Sequence, residues 1–120
     1  MKYLRSTLRL LATSIFLAAT GCVPQIYHQQ LYVLDKGMTS DQATTQLKQP
    51  PLEIHTASSG GRNFSFYRYR LNNGVQLDTY LLAFERDRLV YWGYVTEFRR
   101  QPDVDLSNAL TIVMREASKN

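Results

Sequence analysis

The stretch Asn63-Phe64-Ser65-Phe66-Tyr67-Arg68-Tyr69-Arg70-Leu71, followed at once by Asn72-Asn73-Gly74, decides the fold. Its period is two. Phe64, Phe66, Arg68 and Arg70 fall on one side; Ser65, Tyr67, Tyr69 and Leu71 fall on the other. Side chains leave an extended strand in this way. Asparagine and glycine tolerate positive φ, so Asn72-Asn73-Gly74 reads as a hairpin turn. A second strand is expected from about Val75 to Phe84, then a polar turn at Glu85-Arg86-Asp87-Arg88. The third strand is Leu89 to Val95, with room to reach Phe98. Three strands with tight connections make an antiparallel meander, which can bury one face and leave the other accessible.

On the C-terminal side, Arg99-Arg100-Gln101-Pro102 ends the sheet. Leu106, Ala109, Leu110, Val113 and Ala117 then form an apolar stripe at helical spacing. Asp103 or Asp105 starts that helix, and Lys119 closes it with the sign the helix dipole favours. On the N-terminal side, Ser58-Ser59-Gly60-Gly61 reads as a flexible loop. A helix from Ser40 to Leu47 is stopped by Pro50-Pro51 and started by Thr39 and Gln42, which have capping-box spacing. Ile26, Tyr27, Leu31 and Leu34 suit one helical face, although Leu31-Tyr32-Val33-Leu34 could equally be a short strand. With the helical reading, the expected class is α+β. Two N-terminal helices pack in two layers on a three-stranded antiparallel meander, and an extra C-terminal helix follows.

The chain has 120 residues, 44% of them hydrophobic and 20% charged, which argues against disorder and a multi-pass membrane protein. Its first 22 residues read as a targeting segment. Lys2, Arg5 and Arg9 form a positive start, and Leu10 to Ala19 is an uncharged, mainly apolar run. Ten residues are too few to span a bilayer but suit a signal peptide. Leu17-Ala18-Ala19-Thr20-Gly21-Cys22 resembles a bacterial lipobox, with Ala19 where a leucine is usual. That resemblance implies cleavage before Cys22 and a diacylglycerol with further acyl groups, such as palmitate, on the mature terminus. The competing reading is an unlipidated secretory peptide with Cys22 as a stray thiol. The expected divisions are signal peptide 1–21, lipidated tether 22–30, α/β domain 31–98 and C-terminal amphipathic helix 99–120.

Removing residues 1–21 takes away three basic residues and no acidic one, so the formal charge drops from +4 to +1. The basic excess is therefore no argument for nucleic acid. Val23, not aspartate, follows Cys22. In Gram-negative lipoproteins that implies the outer membrane, with the domain facing the periplasm. More than one acyl chain gives stable anchoring.

Lys36-Gly37-Met38-Thr39-Ser40-Asp41-Gln42-Ala43, with Leu47 and Pro50, resembles the signature of the SmpA/OmlA, or BamE-like, outer-membrane lipoprotein family. Tyr80, Phe84, Asp87, Arg88 and Leu89 resemble that family's strand-turn-strand segment. The resemblance runs from about Leu31 to Tyr94. It departs at Ala43, where valine is usual, and at Lys48, where glycine is usual. Gly37, Met38, Thr39, Leu47 and Pro50 are the matched motif positions. The resemblance implies two helices on a three-stranded sheet and a structural or binding protein, not an enzyme. The member that gives the family its name supports the insertion of β-barrels into the outer membrane and contacts partner proteins and anionic lipid. A similar architecture in β-lactamase inhibitor proteins docks its sheet on another protein, so an inhibitor-like module is a weaker alternative.

The residues themselves offer little catalytic chemistry. His28 and His55 are far apart, there is no second thiol, and no zincin or nucleophile-elbow motif occurs. No metal site or cofactor is expected beyond the acyl groups on Cys22. Asp103 and Asp105 read as helix-start acids, and Glu85 and Asp87 as turn residues. The informative feature is aromatic: ten of the 14 aromatic residues fall between Phe64 and Phe98. A single small core cannot easily hold them all. Tyr67, Arg68, Tyr69, Arg70, Tyr91, Trp92 and Tyr94 are therefore candidate binding residues on a sheet face, aromatics and arginine being common at hot spots. The expected partner is another envelope protein. The alternative is an anionic lipid or glycan met by Arg68, Arg70, Arg99 and Arg100. The oligomeric state is left open.

Overall fold

A computed structural model describes residues 24–119. Cys22 and the targeting segment lie outside the described residues. In chain order the elements are β1 (Ile26–Tyr27), a 3₁₀ turn (His28–Val33), α1 (Ser40–Leu47), β2 (Glu53–Ser59), β3 (Arg62–Asn72), β4 (Leu77–Glu85), β5 (Arg88–Tyr94), α2 (Val95–Arg99) and α3 (Val104–Ser118). The class is α+β, as expected, but the arrangement differs from two helices on a three-stranded meander.

The alternating stretch is β3, the strand around which the sheet is organised. β4 pairs antiparallel along one edge, with Tyr69 opposite Tyr80, and β5 pairs antiparallel with β4. The other edge of β3 carries two partners end to end. β2 covers its first half antiparallel, from Ser59 opposite Arg62 to Glu53 opposite Arg68. β1 runs parallel beside its last residues, Ile26 opposite Leu71 and Tyr27 opposite Asn72.

Three expectations are corrected here. Residues 53–59 are a strand, not a loop. Gly60 and Gly61, with φ of 61° and 75°, form the two-residue turn that closes a hairpin, and both angles favour glycine. A Cβ on Gly60 would also collide with the Asp105 carboxylate. The segment Ile26 to Leu34 is a two-residue strand and a 3₁₀ turn, not a helix. It belongs to the domain rather than to a tether, because Ile26 is fully buried and Gln30 Nε2 donates to the Leu47 carbonyl at 2.6 Å. The stretch after Tyr94 turns into the short helix α2 instead of extending β5 to Phe98.

Alternation along the strands builds two cores, one on each face. Tyr69, Leu71, Tyr80, Leu82, Phe84 and Leu89 bury on the first face with Ile26, Leu34, Ala43 and Leu47. Phe64, Phe66, Leu81 and Ala83 bury on the second face with Phe98, Leu106, Ala109, Leu110 and Val113. The C-terminal helix thus closes the second face. This resolves the aromatic surplus: Tyr67, Tyr69, Tyr80, Phe84, Trp92 and Tyr94 go to the first core, and Phe64, Phe66, Tyr91 and Phe98 to the second. Edge-on ring contacts lock both, Tyr80 on Tyr94 at 5.3 Å and Tyr91 on Phe98 at 4.7 Å.

Helix α1 has the expected limits because both ends are specified locally. Thr39 Oγ1 accepts from the Gln42 amide at 3.2 Å, and Gln42 Oε1 accepts from the Thr39 amide at 3.0 Å. At the other end Lys48 adopts the left-handed conformation, φ 56° and ψ 28°, which glycine enters freely and a residue with a Cβ does not. Lys48→Gly is therefore expected to raise stability by about 1 kcal/mol. An unchanged or lower urea midpoint would show that glycine's extra freedom in the unfolded chain outweighs the relief.

Candidate binding surface

The two segments that carry the family resemblance touch. The Gly37 amide donates to the Leu89 carbonyl at 2.8 Å, and the Leu89 amide donates to the Met38 carbonyl at 2.7 Å. The Gly37-Met38 backbone thus sits on the outer edge of β5 like one rung of a further strand. Asp87, in the tight turn between β4 and β5, accepts from the Ser40 amide at 3.2 Å and from its hydroxyl at 2.5 Å. These bonds hold the Asp87 carboxyl below its ordinary range. They also cap the α1 start from a distant segment. Arg86 and Asp87 both have positive φ, 52° and 58°, as a two-residue hairpin turn requires. The aspartate in this turn therefore has a second task, fixing α1 over the sheet. Leu47 is buried in the first core, and Pro50 ends the helix and leads into β2.

A second knot ties α3 to the second face. Arg62 forks onto Glu85 through Nε and Nη2, at 2.9 and 2.8 Å. It also donates to Asp103 at 2.8 and 3.1 Å and stands 3.5 Å from Asp105. Its guanidinium lies 4.9 Å from the Phe64 ring centre. Asp103 also caps α3, accepting from the Leu106 amide at 3.3 Å. Hydrogen bonding to Arg62 holds the Glu85 and Asp103 carboxyls below their ordinary range. The sheet's second partner pair, Glu53 with His55 at 2.8 Å and Arg68 at 3.4 Å, lowers Glu53 for the same reason, the histidine bond being the larger cause.

These depressed carboxyls fix the sign of the pH dependence. Their folded pKa values lie below the unfolded ones, so their contribution is complete above about pH 4.5 and is lost as pH falls through the folded values. The unfolding midpoint is expected to be flat from neutral pH to about pH 5 and to drop below about pH 4. Arg62→Met should flatten that acid limb while lowering the neutral midpoint. An acid limb of unchanged slope in that variant would remove Arg62 as its source.

The candidate aromatic and arginine residues do not assemble into one patch. Tyr69 is buried, with its hydroxyl donating to the Gln49 carbonyl at 3.0 Å. Burial pushes the Tyr69 and Tyr80 hydroxyl pKa values well up. Trp92 and Tyr94 are half-buried against the first core, and Tyr91 is half-buried against the second. Arg68 lies on the second face, engaged by Glu53. Arg70, Arg99 and Arg100 are exposed. Tyr67 borders an open part of the sheet.

That open part is on the first face, over β2 and the start of β3, beyond the reach of α1. Ile54 (54% exposed), Thr56 and Ser58 of β2 lie there beside Asn63, Ser65 and Tyr67 of β3. Arg86 and Asp87 form its rim. Tyr67 rests one side on Phe84, 4.8 Å between ring centres, and is only half-buried. The strip is narrow, with one exposed aliphatic, one aromatic and several hydroxyls. That composition suits a protein surface better than a deep small-molecule site. The Gly60-Gly61 pair was the available signal for it. No family model, curated protein or solved structure matches the chain.

Proposed function

We propose that this chain is a bacterial outer-membrane lipoprotein of the SmpA/OmlA type, a non-enzymatic accessory of envelope assembly or maintenance that binds another envelope protein. The observation that carries the reading is the contact between its two motif segments. Gly37-Met38 and Leu89 are residues the resemblance singles out separately, and they meet across the fold; Asp87, a third matched residue, binds Ser40 beside the first motif. In this reading Cys22 holds the acyl chains and the domain works in the periplasm.

Anchoring at Cys22 orients the domain. Ile26 is four positions after Cys22, a reach of at most about 14 Å. Ile26 lies beside Leu71, near the end of β3, so that end of the sheet stays close to the lipid. The open strip lies toward the other end. Ser65 is six residues back along β3, about 20 Å away. The strip therefore points away from the anchor, where a periplasmic partner can reach it. Docking uses Ile54, Thr56, Ser65 and Tyr67 in place of the wider tyrosine and arginine face that the sequence suggests.

The test is a photocrosslinking amino acid placed at Thr56, on the strip, or at Asn108, on the outer surface of α3, in cells making the lipidated protein. One discrete adduct from position 56, absent from position 108 and lost with Ile54→Asp, is the expected result. No adduct from the strip, or the same adducts from both sites, would sink the docking assignment.

A further inference from the structure

We infer that the anchored end of the domain is itself a lipid-contacting surface, in which the β3–β4 hairpin tip and Tyr27 sit in the membrane interface. The inference rests on the reading of Cys22 as a lipid anchor and adds a second contact with the same membrane. Among the described residues nine large hydrophobic side chains are exposed, and three of them lie at this end of the molecule: Tyr27 (47%), Val75 (91%) and Leu77 (45%). Tyr27 and Leu77 are not scattered. Both oppose Asn72, Tyr27 from β1 and Leu77 from β4, so the three make one row across the sheet. Val75 stands at the tip just beyond that row.

The tip meets its own amides. Asn72 Oδ1 accepts from the Gly74 amide at 2.9 Å. Asn73 Oδ1 accepts from the Val75 and Gln76 amides at 2.9 and 3.0 Å. The Asn73 amide donates to the Gln76 carbonyl at 3.2 Å. Asp78, the nearest charge, is engaged by Asn73 Nδ2 at 3.0 Å and by Gln76 Nε2 at 3.1 and 3.2 Å. Every amide from Asn73 to Gln76 therefore has an internal acceptor. A loop entering a medium poor in hydrogen-bond partners needs that property, because each unmet backbone group there is costly. Val75 gains nothing from its exposure to solvent, and tyrosine is a residue favoured at the lipid headgroup level.

The choice of lipid over a protein occupant comes from where the chain leads. Cys22 precedes Ile26 of β1 by four positions in the sequence. An acylated Cys22 brings the bilayer to this patch before any partner can reach it. The patch holds no cluster of basic residues, so its contact is apolar and indifferent to headgroup charge. Its role is to set the tilt of the domain, since the acyl chains already hold it.

The test uses the full lipidated protein in vesicles of phosphatidylethanolamine and phosphatidylglycerol, and again in phosphatidylcholine alone. A bimane fluorophore is attached at Val75→Cys or at Ser58→Cys, Cys22 being blocked by its acyl group. Lipids carrying a nitroxide near the headgroup should quench position 75 several-fold more strongly than position 58, in both lipid mixtures. Equal quenching at the two positions, with acylation of Cys22 confirmed by mass, would overturn the inference while leaving the anchor intact. Quenching of position 75 only with the anionic lipid would replace the apolar contact with an electrostatic one, and overturn it too. An unacylated Cys22 would remove the anchor reading and the orientation together.

Discussion

Leu110→Ala destabilises the domain by about 2–5 kcal/mol, while Ile112→Ala, two residues on, changes stability by less than about 1 kcal/mol. The difference lies in which face of α3 each occupies. Leu110 is 1% exposed and packs with Phe64, Phe66, Leu81 and Phe98 in the second core. Ile112 is 39% exposed. Truncating Leu110 removes apolar contact and leaves a cavity that a close-packed wall of rings cannot collapse to fill. Domains of this size have roughly 5–15 kcal/mol in total. The loss is thus a large fraction of the whole, and Leu110→Asp should leave no cooperative transition. Urea unfolding followed by tryptophan fluorescence checks the pair. Trp92 lies across the sheet from α3, on the first face, so its signal reports collapse of the whole and not local fraying. If Leu110→Ala proves as mild as Ile112→Ala, then α3 is an appendage rather than half of the structure.

That result bears on how much the sequence discloses. The limits of α1 are written locally, by Thr39 and Gln42 at one end and the prolines after Leu47 at the other, and they are found where the spacing predicts them. The faces of β3 are written by its period, and Phe64 and Tyr69 do bury on opposite sides. The stripe on α3 is equally legible. Its target is not, because an apolar stripe states only that something covers it. β2 escapes notice for a different reason. Its side chains are mostly small or exposed, with Ile54 turned outward, so the strand is stabilised by pairing with β3 more than by its own pattern. Gly60-Gly61 is ambiguous on paper, since a pair of glycines serves a loose loop and a tight two-residue turn alike.

The candidate surface was legible only at Tyr67 for a related reason. Alternation sends tyrosines to both faces, but it cannot say that helices cover both. The clasp of Gly37-Met38 on Leu89 spans some fifty residues, and Ser40 on Asp87 nearly as many. Nothing in either segment alone specifies the other. Each reads as an ordinary helix start or turn until the fold brings them together.

On the proposed lipoprotein reading, Cys22→Ser is expected to abolish acyl incorporation completely, the largest effect expected of any single change. Cells fed radiolabelled palmitate should label the natural protein and not the variant, and the natural protein alone should fractionate with outer membrane. The magnitude follows from what else could hold the domain. No helix among the described residues is long and apolar enough to cross a membrane. Acyl chains contribute about 0.8 kcal/mol per buried CH₂, and a second chain turns marginal binding into stable anchoring. Against that, the exposed Tyr27, Val75 and Leu77 are a minor contribution. They can bias the tilt of a tethered domain but cannot retain a free one. A variant that keeps the domain intact yet loses the thiol should therefore lose outer-membrane residence altogether. If the natural protein takes up no palmitate and its mature form is released with the soluble periplasm, Cys22 is a stray thiol. The hairpin tip would then face water.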